Sequence, residues 1–353
     1  MIILSLFFDL IDYAQKNNCS DLHLSFDSPP VFRKNGELFI SDFDYDFKKN
    51  MNMILELLTP EQNEKLKNGF DLDFCYETEN NLRLRINVYK QKNNFCAAVR
   101  LLKNKIPDLN ELGLPEIIKK LLAQPNGLIL VTGPTGSGKT TSLAAMINFI
   151  NKNYAKHILT IEDPIEYIFN HEKSLVHQRE INTDVKDFNL ALRSALREDP
   201  DVILVGEMRD LETIKAVITA AETGHLVLSS LHTMGAMKSI NRIIDAYPKE
   251  SQDQIRTQLS FCLRGIISQV LIKNNFGFRS VAFECLIGTE AILNLVRNNK
   301  LHEIKSLMQM GLNDGMNTLE KNIFDLVKQK KINYDDGLKY CNDKSEFEQY
   351  FLN

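Results

Sequence analysis

The stretch "LILVTGPTGSGKTT", residues 128–141, decides the fold of this chain. A short apolar run is followed by a glycine-rich turn and then by "TTSLAAMINFI", which reads as an amphipathic helix. Gly133, Gly138, Lys139 and Thr140 meet the pattern G-x-x-x-x-G-K-[ST], in which backbone N–H groups curl around phosphate oxygens at a helix N-terminus. The stretch predicts a phosphate-binding loop between a strand and a helix, and a plain glycine turn is the alternative.

The loop predicts a nucleoside triphosphate as the ligand, and we expect ATP with Mg²⁺. The ammonium group of Lys139 is expected to bridge the β- and γ-phosphates, and the hydroxyl of Thr140 is expected to hold the metal. The residues predicted to bind the nucleotide all belong to this loop and are Gly133, Thr135, Gly136, Ser137, Gly138, Lys139, Thr140 and Thr141.

Composition bounds the class of protein. The chain has 353 residues, enough for two domains, with 44% hydrophobic and 25% charged residues. Its net charge of −4 gives no global signature of a nucleic-acid binder, so no direct nucleic-acid partner is expected. The six cysteines form no C-x-x-C pair, which disfavours a zinc ribbon and indicates a reducing, cytoplasmic setting.

The first residues predict an amphipathic helix over about 5–17 rather than a signal peptide, because Asp9 and Asp12 interrupt a short apolar run. No run approaches the ~18 apolar residues of a membrane span.

Two regions with different patterns of predicted secondary structure follow one another along the chain. The first is expected to be α+β, with a strand at "SDLHLSF", turns at "PP" and "KNGEL", a helix at "MNMILELLTPEQNEKLK" and strands at "FDLDFCYE", "LRLRINVYK" and "FCAAVRLL". The second has the apolar runs "LILVT", "HILTI", "VILVG" and "LVLSSL", typical of a parallel sheet covered on both faces. After about residue 250 the chain is expected to be mostly helical. The predicted domains are 1–103, a linker at 104–115, and 116–353.

Acidic residues follow two of these strands. Glu207 comes directly after "VILVG", where a carboxylate would face the same crevice as the phosphate-binding loop. "TIEDPIEY" supplies Glu162, Asp163 and Glu166 after another strand, and Glu166 could turn toward the γ-phosphate. The alternative for this acidic cluster is a solvated turn or a helix cap.

The remaining candidate site residues are histidines and arginines. His225 and His232 lie at the two ends of "LVLSSL", at a spacing of seven that suits zinc poorly, and either could be a core histidine or contact phosphate. An arginine often neutralises the transition state of phosphoryl transfer. Residue chemistry alone does not choose among Arg83, Arg85, Arg100 and the helical pair Arg193 and Arg197.

Four blocks resemble the secretion and type IV pilus motor ATPases in order and spacing. "GPTGSGKTT", "TIEDPIEY", "ALRSALREDPDVILVGEMRDLETI" and "TAAETGHLVLSSLHT" are similar to their Walker A, Asp box, Walker B and His box. "SDLHLS", "PPVFRKNGEL", "SLVHQRE", "NRIIDAYP" and "GMNTLEKNI" resemble the PilT-type, or retraction, branch. The resemblance covers almost the whole chain.

The resemblance implies a fold and an activity. The expected fold class is α/β: a RecA-like P-loop NTPase domain preceded by a smaller α+β, PAS-like domain, with a mostly helical C-terminal end. The family implies a homo-hexameric ring with ATP between the domains, cytoplasmic and peripheral to the inner membrane at the pilus base. The implied activity is ATP hydrolysis that drives pilus retraction against an inner-membrane platform protein, for twitching motility and as a candidate for DNA uptake.

The resemblance also implies roles for matching residues. Glu166 is similar to the Asp-box general base, and Glu207 to the Walker B carboxylate that, with Thr140, would hold Mg²⁺. His225 and His232 match the His-box pair. Arg85 and Arg100 align with arginines of the first domain that reach the nucleotide.

Departures from the retraction branch leave other functions open. Asn93 and Leu293 stand where arginine is usual, and Asn298 replaces a glutamate. A divergent paralogue, or a regulatory protein with slow turnover, is one alternative. A secretion or assembly ATPase is another, although those usually carry an extra N-terminal region and a four-cysteine zinc loop that this sequence lacks. A DNA helicase is disfavoured because no basic, aromatic-rich groove is evident.

Overall fold

A computed structural model describes residues 2–34, 36–41, 50–78, 80, 82–102 and 105–352. The chain forms two compact units. The first comprises Met1–Lys105 with the short segment Glu166–Ile168, and the second comprises Ile106–Ile165 and Phe169–Asn353. The predicted boundary at residues 103 and 104 lies outside the described residues. No helix in the described part of the chain has the length and apolar character needed to cross a bilayer.

The first unit is an antiparallel sheet with helices. Its strand order is β3-β2-β1-β6-β5-β4. Leu84, Ile86 and Val88 of β5 are fully buried and alternate with more exposed residues, as a sheet with one covered face requires. The elements are α1 (Ile2–Lys16), β1 (Asp21–Ser25), β2 (Ser28–Lys34), β3 (Glu37–Ile40), α2 (Asn50–Glu56), α3 (Pro60–Lys67), β4 (Leu72–Glu77), β5 (Arg83–Gln91) and β6 (Asn94–Leu101).

The predicted first helix is confirmed as α1. Its buried residues Phe7, Leu10, Ile11 and Ala14 recur every three or four positions, so they line one face of the helix. That face belongs to the same apolar core as Leu22 of β1 and the buried residues of β5, which anchors the helix to the sheet.

Two predictions for the first unit are wrong. The expected single helix over 51–67 is two helices, because Thr59 and Gln62 form a capping box that starts α3 anew, with Pro60 in its first position. The turn expected at "PP" lies earlier, and Pro29 and Pro30 belong to β2. Both prolines precede Val31, where pairing with β3 begins. The N–H groups that they lack are therefore not needed for hydrogen bonds between β2 and β3.

The hairpin between β5 and β6 explains one departure from the family pattern. Gln91 pairs with Asn94 across a two-residue turn made by Lys92 and Asn93. Both turn residues have positive φ, 47° and 64°. Asparagine adopts this left-handed conformation more readily than arginine does, so the turn favours asparagine at position 93.

The second unit is built on a seven-stranded sheet of order β13-β12-β7-β11-β10-β8-β9, parallel except for β13. All six residues of β7 are buried, as expected for a central strand covered on both faces. The strands are β7 (Gly127–Thr132), β8 (His157–Glu162), β9 (Leu175–Glu180), β10 (Val202–Val205), β11 (Leu226–Leu231), β12 (Leu263–Lys273) and β13 (Arg279–Ile287). The four strands expected from apolar runs are confirmed as β7, β8, β10 and β11.

The helices of the second unit follow its strands and fill the C-terminal end. They are α4 (Ile117–Leu122), α5 (Lys139–Asn153), α6 (Phe188–Ala195), α7 (Leu211–Glu222), α8 (Ala236–Asp245), α9 (Gln252–Cys262), α10 (Glu290–Arg297), α11 (Ile304–Met310), α12 (Leu319–Lys328), α13 (Tyr334–Tyr340) and α14 (Lys344–Leu352). Leu319, Ile323 and Phe347 from the last helices pack on Val270 and Ile272 of β12, so the helical end shares a core with the sheet.

The mostly helical character of the chain after residue 250 is confirmed, although some elements of the second unit differ from expectation. The region after 250 also contains β12, which begins at Leu263 directly after α9 with no polar turn to signal the change, and β13. Strand β9 was not predicted, because "LVHQRE" is largely polar. Only Val176 and Glu180 are buried at this edge of the sheet. Helix α6 ends at Ala195, so Arg197 does not share a helical face with Arg193.

Candidate functional site

The predicted phosphate-binding loop joins the carboxyl end of β7 to α5, which begins at Lys139. The lysine side chain is buried, and its Nζ donates to the carbonyl oxygens of Gly133, at 2.9 Å, and Pro134, at 3.0 Å. The ammonium group therefore lies inside the loop that is expected to bind the phosphates. The first turn of α5 supplies backbone N–H groups with no partner earlier in the helix, which favours an anion there.

Two glycines of the loop are required by geometry. Gly138 precedes α5 in the left-handed conformation, with φ 86°. A Cβ added to Gly133 would lie 2.2 Å from the backbone oxygen of Gln269 on β12 and 2.7 Å from Ser137 Oγ. The loop is consequently packed against β12 so closely that only glycine fits at position 133.

A chain of polar contacts runs along the carboxyl edge of the sheet from this loop. Thr135 Oγ1 lies 3.4 Å from His232 Nδ1, and His232 Nε2 lies 3.0 Å from Glu207 Oε2. The other oxygen of Glu207 pairs with Arg209, whose Nη1 lies 3.5 Å from Asp163 Oδ2. These residues follow β7, β11, β10 and β8, so the parallel register brings four loops of the second unit together.

The carboxylate of Glu207 stays ionised in this setting. Burial acts to raise its pKa, but hydrogen bonds and charge from Arg209 and His232 outweigh burial and lower the pKa below its ordinary value. The side chain is 16% exposed, so the charge lies in a partly dry environment beside the loop. When His232 donates from Nε2 to this carboxylate, its Nδ1 is left to accept from Thr135.

The loop after β8 carries the other predicted carboxylates. Glu162 is buried, and its Oε1 accepts from Thr160 Oγ1 at 2.7 Å and from Gln178 Nε2 at 3.3 Å. Glu180 of β9 accepts from the backbone N–H of Ile165 at 3.0 Å, which fixes the turn that follows the cis Asp163–Pro164 bond. Glu166 lies in the segment grouped with the first unit, and its role as base stays a prediction.

The structure does not bring His225 to this group. His225 precedes β11 at the amino-terminal edge of the sheet, where its carbonyl oxygen accepts from Gly127 N–H at the start of β7. His232 follows the other end of β11, roughly 20 Å away at the rise of a strand. His225 Nδ1 lies 3.0 Å from the carbonyl oxygen of Ala220, a contact that holds the ring at the end of α7. Its assignment to the site remains a prediction without local support.

The two candidate arginines of the first unit face each other across β5 and β6. Arg85 pairs with Arg100 in the ladder, and each has a carboxylate partner. Arg85 Nη2 lies 2.6 Å from Asp73 Oδ2, and Arg100 Nε lies 2.8 Å from Asp21 Oδ1. Each guanidinium group is therefore offset by a carboxylate of the first unit, and the role of either arginine toward the nucleotide stays a prediction.

The residues of the second unit fit the predicted nucleotide and metal. Mg²⁺ prefers oxygen ligands and usually keeps several waters beside one or two side chains and substrate phosphates. Thr140, in the first turn of α5, has the hydroxyl for this role. The Glu207 carboxylate is ionised beside the loop, and each of its oxygens has a further lone pair besides the one used by Arg209 or His232.

Several residues that shape the site were missed in the sequence. Arg209 follows Glu207 by two positions but had no pattern to mark it. Gln269 and Ser268 were hidden in a strand that was expected to be helical. Their Nε2 and Oγ atoms contact Ser137 and Gly235, in the loops that precede α5 and α8. Only the run "GIISQVLI", rich in β-branched residues, could have indicated a strand here.

The fold and the site together define a P-loop ATPase, with a RecA-like domain preceded by a smaller α+β domain. The family described as "Type II/IV secretion system protein" matches residues 9–314, and this chain belongs to that family. The fold class expected from the resemblance is confirmed, as is the assignment to the ATPases.

Named relatives are similar over nearly the whole chain. The chain is 44% identical over 320 residues to "Type IV pilus retractation ATPase PilT" of Pseudomonas aeruginosa, covering 90% of this chain and 93% of that protein. It is 46% identical over 279 residues to "Twitching motility protein" of Neisseria gonorrhoeae, covering 79% of this chain and 75% of that protein. A crystal structure of the pilus retraction motor PilT with bound ADP superposes with a TM-score of 0.91 at 43% identity, covering 97% and 98% of the two chains.

Proposed function

We propose that this chain is a motor that hydrolyses ATP to drive type IV pilus retraction. One observation carries the catalytic part of the proposal. A continuous set of contacts links the phosphate-binding loop, through Thr135, to His232, Glu207 and Arg209. This set supports the proposal because it puts an ionised carboxylate and a histidine within two contacts of the loop that would bind the terminal phosphate. Similarity to proteins named for retraction and twitching motility supports the mechanical part.

Binding and orientation fall to the loop and α5. The backbone N–H groups from Gly136 to Thr141 would hold phosphate oxygens, and Lys139 would exchange its carbonyl partners for the β- and γ-phosphates. His232 connects Glu207 to Thr135. A change at the γ-phosphate position would therefore alter contacts of the loops that follow β10 and β11.

Charge neutralisation and proton transfer would fall to five residues. A bound Mg²⁺ neutralises negative charge on the phosphates, and Thr140 and Glu207 would hold it. Glu166 would take a proton from the attacking water, and Arg85 and Arg100 would offset charge that develops on the nucleotide. The ordered change of these contacts during turnover would move the two units and so do mechanical work.

ATP turnover by the purified chain tests the catalytic assignments. Lys139→Ala is expected to reduce phosphate release severely, whereas Lys152→Ala, at the exposed end of the same helix, should leave it near the wild-type rate. Glu166→Gln should lower kcat by about a hundredfold or more while nucleotide binding persists, since general base catalysis contributes 10²–10⁴-fold. Glu172→Gln, on the same connection, is its control, and wild-type turnover in Glu166→Gln would remove that residue as the base.

The assembly and location are further parts of the proposal. We infer a homo-hexamer that is cytoplasmic and peripheral to the inner membrane, with the pilus platform protein as its partner. Deletion in the bacterium that encodes the chain, followed by imaging of surface filaments, separates the directions of the motor. Loss of retraction leaves piliated cells that do not twitch, whereas loss of an assembly motor leaves cells without pili.

A slow, nucleotide-gated paralogue is the second candidate, favoured by the three departures from the retraction pattern. Leu293 packs against the main core of the second unit, and Asn298 ends α10, where its Nδ2 donates to the carbonyl oxygen of Asn294. These roles are local to α10 and leave the phosphate-binding loop intact. Brisk, magnesium-dependent phosphate release by the purified chain would exclude this candidate.

A further inference from the structure

Gln269 of β12 is a buried polar side chain that contacts the phosphate-binding loop. It is 1% exposed, and both ends of its amide are used. Nε2 donates to the backbone oxygen of Ser137 at 2.7 Å, and Oε1 accepts from Ser142 Oγ at 2.9 Å. One neutral side chain therefore connects the loop to the first part of α5, where Ser142 N–H donates to Gly138 O.

The carbonyl group that Gln269 holds controls the direction of an N–H group. Ser137 C=O and Gly138 N–H belong to one peptide unit, which is planar and trans, so they point in opposite directions. Fixing the oxygen of Ser137 toward β12 therefore fixes the Gly138 N–H away from β12. Gly138 is the glycine directly before the phosphate-binding lysine, and its N–H is among those expected to hold phosphate.

Strand β12 contacts the same loop at a second point. The backbone oxygen of Gln269 lies 2.2 Å from the position of a Cβ on Gly133, at the start of the loop. The neighbouring residue, Ser268, accepts from Gly235 N–H at 2.8 Å, in the loop that follows His232. Consecutive residues of β12 thus support two of the four loops of the candidate site in the second unit.

We propose that Gln269 is a positioning residue for nucleotide binding: its amide sets the orientation of the Ser137–Gly138 peptide and thereby the shape of the phosphate-binding loop. The inference rests on the proposed nucleotide site, and it is independent of pilus retraction. An amide is needed because the position requires a donor toward Ser137 and an acceptor toward Ser142 at once. A carboxylate offers only acceptors, whereas a protonated carboxyl group offers one of each.

Gln269→Glu tests the inference through pH. The probe is ADP with Mg²⁺, titrated by calorimetry against wild type and variant between about pH 8 and about pH 5.5, where a buried glutamate can titrate. At the alkaline end the carboxylate faces the Ser137 oxygen, and we expect affinity about tenfold to a hundredfold below wild type. As pH falls, the protonated variant regains the donor, and the ratio of the two affinities should approach one.

Matched variants separate this effect from general damage. Gln269→Leu has no titrating group and should stay weak at every pH. Gln252→Glu removes the same kind of bond, from Nε2 to the backbone oxygen of Tyr247, away from the loop, and its ratio to wild type should be flat. Ser142→Ala frees one end of the amide and should bind several-fold more weakly than Ser260→Ala, which alters a buried serine of α9.

Each outcome decides between the proposals. Wild-type affinity in Gln269→Glu at pH 8, or an equal loss at all pH values in Gln269→Glu and Gln269→Leu, would overturn the positioning role. If Gln269→Glu did not fold by circular dichroism, equal affinities of Ser142→Ala and Ser260→Ala would overturn it instead. A wild-type chain that binds no ADP would refute the proposed nucleotide site itself, which is a distinguishable result.

Discussion

Replacing Gly133 by alanine should weaken nucleotide binding far more than the same change at Gly136. Both glycines lie in the phosphate-binding loop and both have positive φ, 143° and 76°. A Cβ on Gly136 has no neighbour within 4 Å, whereas a Cβ on Gly133 lies 2.2 Å from the Gln269 oxygen. The pair of variants therefore differs mainly in the steric conflict with β12.

The size of the effect follows from these contacts. Ordinary van der Waals contact begins at 3.4 Å, so the loop at residue 133 must yield by about 1.2 Å, because β12 is held in the ladder with β7 and β13. Overpacking of this kind costs ~1–3 kcal/mol, and a strained backbone costs ~1–3 kcal/mol more. At ~1.4 kcal/mol per tenfold, affinity should fall between about thirtyfold and about twenty-thousandfold. Gly136→Ala carries only ~1–2 kcal/mol of left-handed strain, or about fivefold to thirtyfold.

The substituted loop can relax in the free protein and must return to its strained shape around phosphate, so the cost should appear in nucleotide affinity. Calorimetric titration of ADP with Mg²⁺ measures it, and thermal unfolding followed by circular dichroism checks that both variants fold, since the chain has no tryptophan. Equal affinities for Gly133→Ala and Gly136→Ala would refute the reasoning, because the close approach of β12 would then have no consequence for the loop.

The remaining predictions concern the carboxylates and their partners. Glu207→Gln should reduce phosphate release by about a hundredfold or more at fixed Mg²⁺, because the carboxylate proposed to hold the metal beside the terminal phosphate is lost. His232→Ala should lower kcat with a smaller change in KM, since it removes the link between Thr135 and Glu207, and an unchanged kcat would contradict the proposed role. Burial acts to raise the pKa of Glu346, but hydrogen bonds from Lys305 and Gln309 outweigh it and lower the pKa. The stabilisation from Glu346 is therefore complete above the ordinary glutamate pKa of ~4.3 and is lost as pH falls toward the lower folded-state value. The free energy of unfolding in urea, followed by circular dichroism, should therefore decrease less steeply at acid pH in Glu346→Gln than in the wild type. An equally steep decrease in the two proteins would contradict this assignment.

The candidate site shows where prediction from sequence succeeds and fails. The loop at Gly133–Thr141 and the strands on either side of it were predictable because spacing and apolar runs are local properties. The contact between His232 and Glu207 could only be anticipated as a neighbourhood of strand ends, and Arg209 was not anticipated at all. His225 was grouped with His232 because the two match the His-box pair of the family, yet a strand of six residues separates them across the sheet.

The sequence by itself determined the chemistry of this protein: a glycine-rich loop with Lys139 and Thr140, apolar strands for a parallel sheet, and acidic residues at their ends. These features follow from short-range spacing, which is legible without coordinates. Only the tertiary structure decided that β12 lies beside β7 and that Gln269, more than a hundred residues along the chain, supports the loop. The reason is that strand order and the partners of buried polar groups are set by packing over the whole sheet, which no local pattern encodes.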